Sequence, residues 1–199
     1  MHSLSYGSDH SGLICGYVFS PNQPAKLIHT EEASAALVQR KNTAQKGFIW
    51  LHFNLSHVSA EKWLHENTEL PDEFYESLHE GSRSTRIEHA NKKLIAVVND
   101  VLHDFSYDAA DISTLWLCVD KQLIVSARHK PLQSVDRLRN AVNHGEEFNS
   151  AMELLTHLLR DQADVLMHIV RQMIRRVDEI EDNLLAQRLQ HKRANLGEL

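Results

Sequence analysis

The clearest pattern in the chain is an apolar stripe along its last quarter. Large apolar residues recur there at steps of three, four or seven, as on one face of an amphipathic helix: Leu155, Leu159, Leu166, Val170, Met173, Val177, Ile180 and Leu184. No glycine or proline interrupts residues 150–193. The pattern predicts one helix over residues 149–190, which at a rise of about 1.5 Å per residue is roughly 60 Å long. We expect such a helix to project beyond a domain of this size and to need a partner along its stripe.

The earlier part of the chain mixes strand and helix patterns and then continues as hairpins. Residues 48–55 are apolar on both faces, which is typical of a strand in the middle of a sheet. Other strand patterns lie at residues 13–19, 25–29, 84–89, 94–101, 112–119 and 122–127, and helix patterns lie at residues 30–40, 59–66, 71–79 and 134–144. This order predicts an α/β fold, with a mixed six- to seven-stranded sheet layered with helices and followed by the long projecting α-helix.

The patterns also predict a domain boundary and a core. We expect residues 1–147 to form the α/β domain and residues 148–199 to hold the long helix. The strand positions expected to pack against helices are Trp50, Leu51, Phe53, Leu94, Ile95, Val97, Val98, Leu115, Leu117, Leu123 and Val125.

Composition and charge exclude several classes of protein. The net charge of −6 argues against nucleic acid as the main partner, because that partner demands a basic face. Cys15 and Cys118 are far apart and neither belongs to a CxxC motif, which indicates a reducing compartment and no thiolate zinc site. The polar N-terminus lacks the apolar run of a signal peptide, and no apolar run is long enough for a membrane span.

Motifs for catalysis are missing from the sequence. It contains no glycine-rich phosphate loop, no GxSxG elbow and no HExxH helix, so we do not expect an enzyme. Only proximity in sequence suggests that His52 with His57, or His103 with Asp104, forms an acid–base pair. Fourteen of the 199 residues are histidine, so such neighbours arise by chance and a structural role is the better interpretation.

One polar stripe on the long helix carries metal-ligand chemistry. His157, Asp161, Asp164 and His168 are spaced four, three and four residues apart, which places all four side chains on one helix face. Imidazole nitrogen and carboxylate oxygen are suitable ligands for Zn²⁺. The alternative is that these residues simply form the solvated side of an amphipathic helix. A straight stripe does not converge on one ion without a second chain, so we predict zinc binding here only with such help.

Several short stretches resemble ZntB-type proteins of the CorA superfamily of metal-ion transporters, and the similarity covers nearly the whole chain. The family order is followed by residues 50–53 (WLHF), 63–64 (WL), 70–72 (LPD) and 82–86 (SRSTR). The most specific stretches are residues 124–128 (IVSAR), before a helix that follows the sheet, and 179–185 (EIEDNLL), at the end of the first long helix. Ser84-Thr85 stands where the family often has a proline between the two arginines, which weakens the match of that loop.

This resemblance implies a function that the residues alone do not. ZntB-type proteins are homopentameric zinc transporters of bacterial inner membranes with a large cytoplasmic funnel. The chain would be the N-terminal cytoplasmic domain of that funnel and the first arm of a helical hairpin, with Zn²⁺ as the transported or regulatory ion. The family continues with a second arm, a stalk helix and two membrane helices around a Gly-Met-Asn loop, so no pore residue is carried over. A Mg²⁺ or Co²⁺ channel and a soluble metal-sensing or interaction module remain as alternatives; the abundance of histidine favours zinc.

Overall fold

The structure is a computed structural model that describes residues 7–42, 47–80, 84–102 and 111–197, with side chains described for 7–39, 47–80, 84–102 and 111–188. The strands are β1 (Leu13–Phe19), β2 (Lys26–Ile28), β3 (Phe48–Asn54), β4 (Arg86–Ala90), β5 (Lys93–Val101), β6 (Ile112–Val119) and β7 (Leu123–Arg128). The helices are α1 (Thr30–Asn42), α2 (Ala60–Asn67), α3 (Asp72–His79), α4 (Gln133–Asn143) and α5 (Ala151–Gly197).

The seven strands form one mixed sheet in the order β2-β1-β3-β7-β6-β5-β4. The pair β3–β7 is parallel, and the other neighbouring pairs are antiparallel. This arrangement confirms the predicted fold class. It also confirms residues 48–55 as an interior strand, because β3 lies between β1 and β7.

Helices cover both faces of the sheet because strands such as β3 are apolar on both faces. Ile49, Leu51 and Phe53 of β3 belong to a core shared with α1, α2 and α3. Phe48 and Trp50 alternate with them and belong to a second core with α4 and the first turns of α5. The result is a layer of helices on each side of the sheet. The predicted strand core is likewise found buried, except that Leu94 is only partly buried.

The predicted long helix is a single element, α5, with 47 residues. Internal contacts divide the chain into two compact units, residues 1–162 and residues 163–199. The first unit holds the sheet, α1 to α4 and the start of α5, which enters the core through Ala151, Leu154, Leu155 and Leu158. The second unit is the remainder of α5.

Candidate functional site

The candidate metal site depends on how α5 begins. The hydroxyl of Ser150 accepts a hydrogen bond from the backbone N–H of Glu153 at 3.1 Å. In return, the carboxylate of Glu153 accepts from the backbone N–H of Asn149 at 2.7 Å. This reciprocal capping satisfies donors that a helix start leaves free, so it defines where α5 begins. His157 lies four residues beyond Glu153 and therefore on the same face of the helix.

The imidazole of His157 lies between two carboxylates. Its Nε2 is 3.0 Å from Oε1 of Glu146, in the segment between α4 and α5. Its Nδ1 is 3.2 Å from Oδ2 of Asp161, one turn further along α5, although that contact lacks hydrogen-bond geometry. Phe148 presents its ring edge-on to the imidazole, with the ring centres 5.3 Å apart. The ring is therefore held in place on three sides within the first unit.

A cleft of about 280 Å³ opens beside this histidine. Three of its lining residues are acidic and Arg160 is the one permanent cation among them, so its surroundings favour a positively charged ligand. The lining consists of Glu146, Glu147, Phe148, Glu153, Thr156, His157 and Arg160.

The structure brings together only part of the predicted stripe. His157 and Asp161 are in contact and partly buried, whereas Asp164 and His168 are exposed. The Nε2 of His168 lies 2.8 Å from the side-chain nitrogen of Gln172, one turn further along the helix. Within the described parts of the chain, no group of three or more His, Cys, Asp or Glu side chains is arranged to hold a metal ion. Zinc binding by the stripe stays a prediction.

Glu146 is the site residue that the sequence patterns missed. An ion on Nε2 of His157 would meet Glu146, while an ion on Nδ1 would meet Asp161, because the two ring nitrogens face different carboxylates. Helical spacing could not reveal Glu146, since it lies outside α5. The one local signal in the sequence was Gly145, a glycine that marks a turn at the end of α4. In the structure this residue has a positive φ of 89°.

The second unit presents the apolar stripe to solvent. Its large apolar side chains are between 42% and 59% exposed. They are Leu166, Met167, Val170, Met173, Ile174, Val177, Ile180, Leu184 and Leu185. Scattered single apolar residues are ordinary on a protein surface, but a continuous row of this kind indicates an interaction surface.

A buried polar network lies on the face of the sheet that packs against α4. The stretches 50–53 and 124–128, which carried much of the family resemblance, pair side by side as β3 and β7. Ser126 accepts from Nε1 of Trp50 at 2.9 Å, and Nδ1 of His52 lies 2.8 Å from the same hydroxyl. Arg128 donates its Nε–H to Nε2 of His52 at 3.1 Å. These side chains are buried and bonded to one another, which is the arrangement of a structural network rather than of an acid–base pair.

The structure describes only one of the two acid–base pairs that the sequence suggests. His52 is bonded to Ser126 and Arg128, while Nδ1 of His57 accepts from the backbone N–H of Ser59 at 3.3 Å. The pair His103 and Asp104 lies outside the described residues. The structural interpretation of His52 therefore holds.

A larger cleft, of about 530 Å³, lies along α2 and α3. Nε2 of His79 is 2.9 Å from the carboxylate of Glu61, and the ring of His65 stacks on Tyr75 with the ring centres 3.6 Å apart. Residues 60–80 contain seven acidic residues and one lysine, so this surface is strongly negative. The cleft is lined by His65, Asp72, Tyr75, Glu76, His79 and Glu80.

None of the helices that the structure describes has both the length and the apolar composition that a membrane span needs.

A known family model matches most of the chain. The family model described as CorA-like Mg²⁺ transporter protein matches residues 45–199, which is more than half of the chain. Among curated relatives, the divalent cation transporter CmaX of Pseudomonas aeruginosa is 23% identical over 176 residues, covering 86% of this chain and 52% of CmaX. The zinc transport protein ZntB of Yersinia enterocolitica is 22% identical over 142 residues, covering 70% of this chain and 43% of ZntB. The chain thus spans about half the length of the curated relatives it matches.

Solved structures share the fold. The structure of full-length CmaX superposes with a TM-score of 0.73 at 20% identity, covering 88% of this chain and 52% of CmaX. The cytoplasmic domain of ZntB from Vibrio parahaemolyticus superposes with a TM-score of 0.61 at 14% identity, covering 81% of this chain and 63% of that one. Both curated relatives are named as transporters and not as enzymes.

Proposed function

The chain belongs to the CorA-like Mg²⁺ transporter protein family, and from that premise we propose that it is the cytoplasmic domain of a divalent-cation transporter of the CorA superfamily. The observation that carries this proposal is the family match over residues 45–199, which includes β3 to β7, α4 and α5. The likeness to CmaX in fold, with α5 following the sheet, supports it.

Zinc is the cargo that we assign to the full-length transporter. The names of two relatives are consistent with this choice, since ZntB is named for zinc and CmaX for divalent cations in general. The fourteen histidines of the chain supply nitrogen ligands, which zinc accepts more readily than magnesium does. The alternative cargo is Mg²⁺ or Co²⁺, and the description of the family model, which names Mg²⁺, favours magnesium.

We assign the chain to one wall of a homopentameric funnel on the cytoplasmic side of a bacterial inner membrane, with α5 as the first arm of a helical hairpin. The exposed apolar stripe of α5 supports this assignment, because a helix of this kind needs a covering partner. Membrane attachment would come from helices beyond this chain in the full-length protein.

Regulatory zinc is assigned to the α5 stripe of His157, Asp161, Asp164 and His168. The placement of His157 beside Glu146 in an acidic cleft supports a cation at this end of the stripe. Completing the coordination of one ion would require ligands from a second copy or from water, since one straight helix face does not surround an ion.

Ion flux into vesicles tests the transport proposal. Radiolabelled zinc, magnesium and cobalt would be offered separately to vesicles that contain the full-length transporter and to empty vesicles. We expect protein-dependent uptake of zinc that exceeds uptake of magnesium. Uptake of magnesium without zinc would establish the alternative cargo, and the absence of protein-dependent flux of zinc, magnesium or cobalt would refute transport.

A further inference from the structure

An aromatic stack lines the larger cleft, which lies along α2 and α3. The imidazole of His65 on α2 lies against the ring of Tyr75 on α3, with the ring centres 3.6 Å apart and the ring planes 11° apart. The volume of about 530 Å³ is that of a small-molecule site, and such sites combine apolar surface with a few well-placed polar groups. The stack therefore suits the apolar part of a small ligand.

Two carboxylates of this cleft have no cation beside them. Asp72 and Glu76 line the cleft and are exposed. Within the described parts of the chain, no lysine, arginine or histidine forms an ion pair with either of them. By contrast, Glu80, which also lines the cleft, pairs with Arg86. The uncompensated negative charge of the lining is therefore on Asp72 and Glu76.

The spacing of these two carboxylates suggests the shape of the missing cation. Asp72 and Glu76 are four residues apart on α3, which is about one helical turn, or roughly 6 Å. Four methylene groups hold two ammonium groups about equally far apart, so one linear molecule can reach both carboxylates. No group of three or more His, Cys, Asp or Glu side chains in the described residues is arranged to hold a metal ion, which favours an organic cation.

A buried hydroxyl in the lining provides a second and independent indication of a ligand. Tyr75 is 8% exposed, and its hydroxyl forms no hydrogen bond with the described residues. The neighbouring hydroxyl of Thr68 donates its proton to the carbonyl of Leu64, so it has none left for Tyr75. Burial raises the pKa of Tyr75, which keeps the phenol neutral. Its oxygen is thus an acceptor that needs a donor, and an ammonium group supplies one.

We propose that the cleft along α2 and α3 binds a linear aliphatic diamine or polyamine in which four methylene groups separate two ammonium groups. One ammonium group pairs with Glu76. The other pairs with Asp72 and donates to the Tyr75 hydroxyl, which is close enough to that carboxylate to feel its charge. The methylene groups lie along the stack of His65 on Tyr75. This binding goes beyond the transport function and does not depend on it.

Titration of the ¹⁵N-labelled 199-residue chain, followed by amide chemical shifts, tests the proposal. Butane-1,4-diamine is compared with butylamine, which has the same carbon chain but one ammonium group, at the same low ionic strength. We expect shifts in α2 and α3 and an affinity about fivefold higher for the diamine, since a second exposed ion pair adds a modest gain. Equal affinities, or shifts confined to other elements, would overturn the proposal.

Charge-neutralising variants test the two carboxylates. Asp72→Asn and Glu76→Gln should each lower the affinity for the diamine about fivefold, to the level of butylamine. Glu73→Gln is the matched control, because it removes one charge from an exposed residue of the same helix that does not line the cleft. This control should retain the wild-type affinity. An equal loss in all three variants would mean that only the net charge attracts the diamine, and would overturn the proposal.

Removing the buried hydroxyl tests the third contact. Tyr75→Phe should lower the affinity for the diamine about threefold, as expected for one lost hydrogen bond. It should not lower stability in urea, because this hydroxyl has no hydrogen-bond partner in the described residues. Unchanged affinity in Tyr75→Phe would overturn the assigned position of the ammonium group.

Two other ligands are tested in the same titration. One is Mg²⁺ at matched ionic strength, and the other is an acetylated peptide with two lysines four residues apart. The proposal requires the diamine to bind at the cleft in the absence of both. Shifts of α2 and α3 caused by Mg²⁺ or by the peptide, but not by butane-1,4-diamine, would overturn it and assign the cleft to a metal ion or to a protein partner.

Discussion

Arg128 donates its Nε–H to Nε2 of His52 at 3.1 Å inside the sheet layer. This bond makes Nε2 an acceptor, so the proton of the neutral imidazole is on Nδ1 and is donated to the hydroxyl of Ser126. Burial, followed by the charges of Arg128 and Arg139, holds the pKa of His52 well below its usual value. His52 is therefore neutral at physiological pH, and it joins β3 to β7 without acting as a pH sensor.

Removing the shared hydroxyl of this network should destabilise the fold. In Ser126→Ala, Nε1 of Trp50 and Nδ1 of His52 lose their common buried acceptor. Each unsatisfied buried donor costs about 1–3 kcal/mol, so we expect a loss of about 2–4 kcal/mol in the free energy of unfolding, measured by urea titration. The exposed Ser20→Ala variant is the control and should change stability by less than about 0.5 kcal/mol. Equal losses in the two variants would disprove the network.

The link between β5 and α4 should give a pH-dependent loss of stability. Oδ2 of Asp100 accepts from both the backbone N–H and the hydroxyl of Ser134, at 3.1 Å and 2.5 Å. Burial is the main cause that raises the pKa of Asp100 above its usual value of 3.8, although the hydrogen bonds from Ser134 and Val101 oppose it. The folded state then binds this proton more tightly than the unfolded state does. The contribution of Asp100 to stability therefore falls as pH rises from the usual aspartate range through the raised value.

Ser134→Ala should be more harmful at high pH than at low pH. The variant removes a donor to Asp100, and a hydrogen bond to an ionised group contributes about 1.5–3 kcal/mol against about 1 kcal/mol for a neutral pair. Urea unfolding at several pH values between about 4 and 8 would measure the difference between variant and wild type. Ser59→Ala is the control, because Ser59 precedes α2 without a side-chain capping bond and should give a small loss independent of pH. A loss for Ser134→Ala that does not grow with pH would contradict this account.

The sequence predicted those features that depend on periodicity. Residues 48–55 were identified as an interior strand because apolar residues occupy both faces, and the stripe from Leu155 to Leu184 identified the long helix. Contacts between distant segments were not predictable in this way. Asp100 and Ser134 are 34 residues apart, and Glu146 meets His157 from outside the helix, so no local spacing records either contact. The stripe predicted which face of α5 carries possible ligands, but a one-dimensional spacing does not show whether they converge.

Two glycines with positive φ allow backbone strain to be separated from steric crowding. Gly12 has a φ of 83°, and an added Cβ would lie 2.7 Å from Cβ of Ala60. Gly145 has a similar φ of 89°, but an added Cβ would meet nothing within 4 Å. We expect Gly145→Ala to cost about 1 kcal/mol from backbone strain alone. Gly12→Ala should cost a further 1–3 kcal/mol or so, because α2 must shift to remove the overlap. Thermal or urea unfolding that gives equal losses would show that the loop near Gly12 adjusts freely.

Zinc calorimetry tests the predicted stripe. The variant His157→Ala/His168→Ala should lower zinc affinity by about tenfold or more, and Glu146→Gln should lower it in the same direction. Affinity in the wild type should fall as pH decreases, because a ligating imidazole must be neutral. The variant His29→Ala/His89→Ala removes two exposed histidines, one before α1 and one in β4, and is the matched control. Unchanged affinity in His157→Ala/His168→Ala would remove the stripe from consideration.

The exposed stripe should control self-association of the chain. In Met173→Glu/Val177→Glu/Ile180→Glu, three apolar side chains that are more than half exposed become charged. Burying such a side chain in a dimer contributes roughly 1.5–3 kcal/mol when burial is complete, and burying a carboxylate instead is strongly unfavourable. We therefore expect the triple variant to sediment as a monomer at tens of micromolar while the wild type associates.

The control variant must separate the loss of the apolar stripe from the gain of negative charge. Arg171→Glu/Arg175→Glu changes the net charge by −4, compared with −3 for the triple variant, and places that charge on the opposite, exposed face of α5. This control should still associate if the apolar stripe is the contact surface. Trp50, Trp63 and Trp116 all lie in the first unit, so their fluorescence reports whether the sheet domain stays folded in each variant. Because the three substituted residues lie in the second unit, the fluorescence of the triple variant should match that of the wild type. A triple variant that associates as strongly as the wild type would show that the stripe is not the interface.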